Sequence, residues 1–355
     1  MSGTPTERAP RLGFLGTGWI GRNRLEAIVA DGAATVAAVS DPSPEAAAQA
    51  AAVAPGAAVV ASLDALLAED LDGLVIATPS ALHAEQAIAA LERGVAVFCQ
   101  KPLARTAAET RRVVRAARVA DQLLGVDLSY RETAAMRAVR AVVDRGEIGR
   151  VYAVDLTFHN AYGPDKGWFY DPRLAGGGCV IDLGIHLVDL ALWTLGWPPL
   201  TGATARLYSK GAPLADPSHA VEDYAVATLD LAGVDGPPVT VRLACSWHLS
   251  AGQDAVIEAA FYGERGGAAL RNVGGSFYDF VAERFEGTRR VRLAEPPDAW
   301  GGRAAVAWAR RLAAGERFDA EAERLVDVAA ALDAVYGRAD GEEGGAEIGT
   351  AVGIH

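Results

Sequence analysis

The run Gly176-Gly177-Gly178-Cys179-Val180-Ile181-Asp182-Leu183-Gly184-Ile185-His186-Leu187-Val188-Asp189 places ionisable groups in a segment whose other positions are nearly all apolar. Such a segment is expected to be buried. If it is helical, Asp182 and His186 lie four residues apart, on one face and about one turn from each other. A carboxylate beside an imidazole can act as a proton-transfer pair. The Asp fixes the ring and favours its charged form, and the His exchanges a proton with substrate near neutral pH. The same spacing also reads as a structural Asp–His hydrogen bond, and the segment alone leaves both readings open.

A second chemical signal lies near the start. Gly16-Thr17-Gly18-Trp19-Ile20-Gly21 is G-x-G-x-x-G, placed between an apolar strand, Leu12 to Leu15, and a helix from about Trp19. In that context the first glycine permits the turn and the second lets the backbone approach a pyrophosphate, while helix N–H groups bind the anion. Asp41, at the end of the next strand, can accept hydrogen bonds from the adenine-ribose hydroxyls and repel a 2′-phosphate, which favours NAD over NADP. It also reads as a turn residue before Pro42. Further strand ends give Ala77-Thr78-Pro79-Ser80-Ala81-Leu82-His83 and Cys99-Gln100-Lys101-Pro102, and in a doubly wound sheet such ends face the ligand crevice. Ser80 is a candidate N-cap, and His83, in the first turn of its helix, a neutral cofactor-side or capping group. Lys101 is a cation at the buried end of a central strand, readily tuned into an acid, a base or a carbonyl polariser.

The elements that must hold these groups change character near residue 130. Up to there short β-rich runs alternate with Ala-rich helical stretches, which means βαβ units and a parallel sheet. Beyond Arg150, strand-like runs at 151–158, 203–208, 224–231, 239–248 and 256–262 follow one another, with only the buried helix among them, and indicate a mostly antiparallel sheet. Two helices, about 298–314 and 319–336, close the second half. The spacing thus predicts an α/β doubly wound domain over 1–130, an α+β domain over 131–340, and a flexible tail over 341–355. A chain of 355 residues is long enough for two cores.

Composition narrows the partners. The formal net charge of −12 argues against a nucleic-acid partner. No apolar run free of charges nears the ~20 residues of a membrane span, and Met1 to Pro10 reads as a loose leader, so a cytoplasmic location is the default. Cys99, Cys179 and Cys245 suggest neither a disulfide framework nor a metal site. The runs 239–245 and 256–261 place apolar residues at successive positions, which would supply a second apolar sheet face and self-association there.

Taken together, Gly16-x-Gly18-x-x-Gly21, Asp41, Thr78-Pro79 with His83, Lys101-Pro102, and the triple glycine running into Asp182-x-x-x-His186-x-x-Asp189 resemble the Gfo/Idh/MocA family of sugar and cyclitol oxidoreductases. The resemblance covers about Arg11 to Tyr336, and implies that 1–130 is a Rossmann NAD-binding domain and 131–340 a substrate and oligomerisation domain. It implies NAD-dependent interconversion of a secondary alcohol and a ketone on a small polyhydroxylated substrate, with Lys101 and His186 as the catalytic pair and Asp182 sharing substrate hydroxyls with them. Dimers or tetramers through the C-terminal sheet are implied too. Thr17, Trp19, Ile20 and Gln100 join the residues named above on the cofactor side. Arg131, His159, Tyr162 and Trp168 are candidates for the substrate side, although the composition of 159–173 also suits a surface loop. The family's Lys usually follows a Glu, whereas Gln100 stands here. That exchange removes a charge beside Lys101 and alters an expected ribose contact. An NAD-assisted glycoside hydrolase and a non-catalytic NAD-sensing regulator share this fold and are the alternatives.

Overall fold

The computed structural model describes residues 8–233 and 236–338; the predicted tail over 341–355 lies outside them. Six parallel strands, β1 (Arg11–Leu15), β2 (Thr35–Ser40), β3 (Ala58–Val59), β4 (Gly73–Ile76), β5 (Ala96–Cys99) and β6 (Leu124–Val126), form a sheet in the order β3-β2-β1-β4-β5-β6. β4 and β5 are buried at every position, as continuous apolar runs covered on both faces should be. The order reverses between β1 and β4, so the crevice outside those carboxyl ends is the place for a ligand.

The second sheet has nine strands: β7 (Val151–Asn160), β8 (Leu200–Ser209), β9 (Ala212–Pro213), β10 (Tyr224–Leu231), β11 (Val239–Ser246), β12 (Ala255–Gly263), β13 (Gly266–Asn272), β14 (Phe280–Glu286) and β15 (Arg289–Ala294). Its pairing is antiparallel except between β7 and β11. One face packs on helices. The expected apolar second face is not there: along β11, Val239, Val241, Leu243 and Cys245 are buried while Thr240 and Arg242 are exposed. Asp155 accepts both hydrogen bonds of the Arg242 fork at 2.9 and 2.8 Å, and Glu258 accepts from Arg271 at 3.0 and 2.8 Å. Strand alternation, not run length, decides which side chains share a face.

The two C-terminal helices also depart from the predicted division. The helix Arg303–Ala313 returns to the first sheet, where Trp308 lies 5.7 Å from Phe98 between ring centroids and fills the space that side chains at Gly73 and Gly125 would need. The helix Arg324–Tyr336 packs against both the second sheet and the helix Ala107–Ala120 of the first half. After the second sheet the chain therefore returns to the first core and then comes back to contact both.

The glycine-led segment is a short helix, Pro172–Ala175, then one π-helical turn, Val180–Gly184, then the α-helix Ile185–Thr194. Against expectation, the span Pro172–Thr194 is long and apolar enough to cross a membrane by composition, but 89% of its most apolar stretch is buried within the protein, as a core helix would be. Its charged positions are too few to offset the apolar ones. Glu222, fully buried, locks its start: the carboxylate accepts from the N–H groups of Gly178 at 3.0 Å and Val180 at 2.9 Å and from the Tyr336 hydroxyl at 2.7 Å. A carboxylate at this helix entry satisfies otherwise unpaired amides. Gly178 is required for that approach, because a Cβ there would drive into the Glu222 carbonyl oxygen. We expect Gly178→Ala to cost about 1–3 kcal/mol, the scale of forced overpacking, seen as a lower denaturation midpoint.

Candidate active site

A cleft of about 730 Å³ runs from the Gly-rich turn of the first sheet to the helical face of the second. Gly18, Trp19, Ile20, Thr78, Pro79, His83, Gln100 and Lys101 line it. Gly16 has φ +85° and faces the Ala77 carbonyl too closely for any side chain, whereas a Cβ on Gly18 would meet nothing within 4 Å. The helix Trp19–Asp31 begins with no side-chain cap and no acidic residue in its first turn. Free amides at an open helix start are what a pyrophosphate needs, so these residues fit a dinucleotide. Asp41 accepts from the Thr17 amide at 2.6 Å through one oxygen and from the Ser43 amide at 2.8 Å through the other. The carboxylate thus shapes the turn.

Ser80 does not cap its helix. It is the first helical residue, with extended Pro79 before it. His83 is buried, its ring nitrogens 2.7 Å from the Pro102 carbonyl and 2.6 Å from that of Thr78, so it ties the loops after β4 and β5. Burial lowers its pKa despite the two carbonyls.

The catalytic candidates meet at the inner end. Lys101 donates through Nζ to the Asp182 carboxylate at 2.6 Å and to the Asp182 carbonyl at 2.8 Å. Trp247 Nε1 donates to the other Asp182 oxygen at 3.0 Å. The sequence-based Asp182–His186 pair is therefore replaced by a Lys101–Asp182 pair, because the π-helical turn presents Asp182 to the strand ends while His186 lies in the first turn of the α-helix and packs edge-on to Tyr130, 4.7 Å between centroids. Nor is the imidazole held in its charged form: burial, with the Lys101 and Arg24 cations, puts its pKa well below the usual histidine value. Its Nδ1 is buried without a protein partner.

Of the substrate-side candidates only Trp168 joins Asp182 and His186 in the cleft. Arg131 donates to Asp189 at 2.7 Å through Nε and stacks over Trp197 at 5.1 Å, behind the helix Ile185–Thr194. His159 bonds the Ser246 hydroxyl at 2.8 Å and stacks on Tyr224. It follows core-facing Phe158 on β7, and alternation turns it to the open face. Tyr162 is exposed and donates to Asp254 at 2.6 Å. The sequence reading missed Tyr130, Phe277 and Trp300, which wall the cleft, and Arg24 and Asp127 on the cofactor side. Asp127 carried a signal, a carboxylate directly after the last parallel strand.

Residues 11–128 match the oxidoreductase family with an NAD-binding Rossmann fold, and residues 136–269 match the GFO/IDH/MocA C-terminal domain. The chain is 35% identical over 204 residues to 1,5-anhydro-D-fructose reductase of Ensifer adhaerens, covering 57% of this chain and 61% of that protein. It is 30% identical over 217 residues to D-glucoside 3-dehydrogenase of Escherichia coli (strain K12), covering 58% and 60%. These matches span about six tenths of each relative's length. The crystal structure of GenD2 from gentamicin A biosynthesis in complex with NAD superposes with a TM-score of 0.77 at 25% identity, covering 96% of this chain and 97% of that one.

Because both buried histidines have lowered pKa values in the folded state, each leaves stability intact above the unfolded histidine value of ~6.5 and removes some as pH falls below it, where only the unfolded chain takes up the proton. We expect the urea midpoint of the wild type to drop more between pH 7.5 and 5.5 than that of His186→Gln.

Proposed function

This chain belongs to the Gfo/Idh/MocA oxidoreductase family, and from that premise we propose that it interconverts a secondary alcohol and a ketone on a sugar, cyclitol or related polyol. The observation that carries this reading is Lys101, held by Asp182 beside a neutral His186, at the inner end of the cleft that the Gly-rich turn opens. Bound NAD(P) supplies the hydride acceptor or donor. In oxidation His186 takes the hydroxyl proton on its unprotonated ring nitrogen, since burial keeps the imidazole neutral. The Lys101 ammonium stabilises the oxygen as negative charge develops there, and Asp182 with Trp247 aims it. Reduction reverses these roles.

The substrate class follows from charge. The cleft-lining cations Arg24, Lys101 and Lys166 each face a carboxylate, on Asp127, Asp182 and Asp165. No unpaired cation among the described lining residues is offered to a phosphate or a sugar acid, so a neutral polyol fits best, its C–H faces against Trp168 and Trp300. The negative Asp41 supports NAD over NADP. Family membership alone supports a homo-oligomer through the second sheet, whose open face is polar and not apolar; light scattering at a multiple of the 36.9 kDa chain mass would agree, the monomer mass would not.

Screening cyclitols, aldoses, sugar acids and glycosides with NAD for NADH absorbance tests the activity directly: net NADH marks a dehydrogenase, while sugar release without it marks the hydrolase. Lys101→Ala and His186→Ala should each lower kcat by about 10²–10⁴ with NAD affinity nearly intact, and unchanged turnover in both would overturn the assignment. NADP binding more tightly than NAD would overturn the cofactor preference, and Asp41→Ala should narrow the gap between their dissociation constants.

A further inference from the structure

Asp127 follows β6 directly, lines the cleft, and is 1% exposed. One carboxylate oxygen, Oδ2, accepts from Arg24 Nε at 2.6 Å and from Gln100 Nε2. The other, Oδ1, is buried without a partner. An ionised carboxylate has about four acceptor positions, and a buried one left empty is costly. The two donors fix which oxygen is spare.

We propose that Asp127 Oδ1 is the acceptor for the ribose hydroxyls of the nicotinamide half of the dinucleotide. The assignment rests on the reading that this cleft binds NAD(P). The Gly-rich turn after β1 and Asp41 after β2 hold the adenosine side of the switch point between β1 and β4, so the carboxyl ends of β5 and β6 face the other half of a ligand lying across it. Hydroxyl donors are what that half brings to a carboxylate. Gln100 is part of the same device. An amide at 100 donates to Asp127, whereas a glutamate there would set two carboxylates against one Arg24 fork. The negative charge that position 100 lacks is thus supplied from the next strand, with Arg24 as its counter-ion.

The test is binding by the whole apo-protein, read by calorimetry with NAD, ADP-ribose and ADP. Asp127→Asn should weaken NAD and ADP-ribose by about 10- to 100-fold, the loss of a hydrogen bond to a charged acceptor, and leave ADP within about twofold. Asp127→Asn/Gln100→Glu, which returns one carboxylate beside Arg24, should recover most of that loss and keep a wild-type melting temperature. Unchanged NAD affinity in Asp127→Asn, an equal loss for ADP, a loss for NAD but not ADP-ribose, or a double variant no better than the single would each overturn the assignment. A wild type that binds none of the three ligands would instead overturn the dinucleotide reading beneath it.

Discussion

The contact between Lys101 and Asp182 joins the two halves of the molecule at the one place where both must be correct together. Lys101 belongs to the loop after β5 of the parallel sheet, Asp182 to the π-helical turn carried by the second. With both side chains largely out of water, neither charge is tolerable alone, and removal of one partner would strand the other. Burial first, then the Lys101 and Arg24 cations, hold the His186 pKa well below the usual histidine value.

Everything behind that contact serves to keep the helical turn where it is. Glu222 holds its amides and Tyr336 holds Glu222. The closing helix that carries Tyr336 also packs on the first half. A π-helical turn spends backbone hydrogen-bond geometry to re-aim a side chain, and such turns persist where the surroundings over-determine them. Here the surroundings are a buried carboxylate and a backbone approach that only glycine allows.

The first half was largely legible because its signals are local: a turn of three glycines between a strand and a helix, an acid after the second strand, a lysine after the fifth. Lys101 and Asp182 were legible as residues but not as partners, since 81 positions separate them. Glu222 gave no sign of itself, because its role arises from amides 44 and 42 residues away. Arg131 looked like a pocket cation until Asp189, 58 residues on, was seen to claim it. The face of β11 differs for another reason: Thr240 and Arg242 break the apolar run with the period-two alternation of a half-buried strand, which its apolar length obscures.

The return of the Arg303–Ala313 helix to the first sheet bears on the order in which the chain acquires its shape during synthesis. Gly73 and Gly125 leave hollows in that sheet, which Trp308 fills together with Leu312 at Gly73 and Phe98 at Gly125. Strands one to six leave the ribosome first, yet one layer of their core arrives nearly two hundred residues after the last of them. An amino-terminal domain would ordinarily complete itself while the rest is still being made. This one leaves part of its apolar surface uncovered until the helix Arg303–Ala313 has been made.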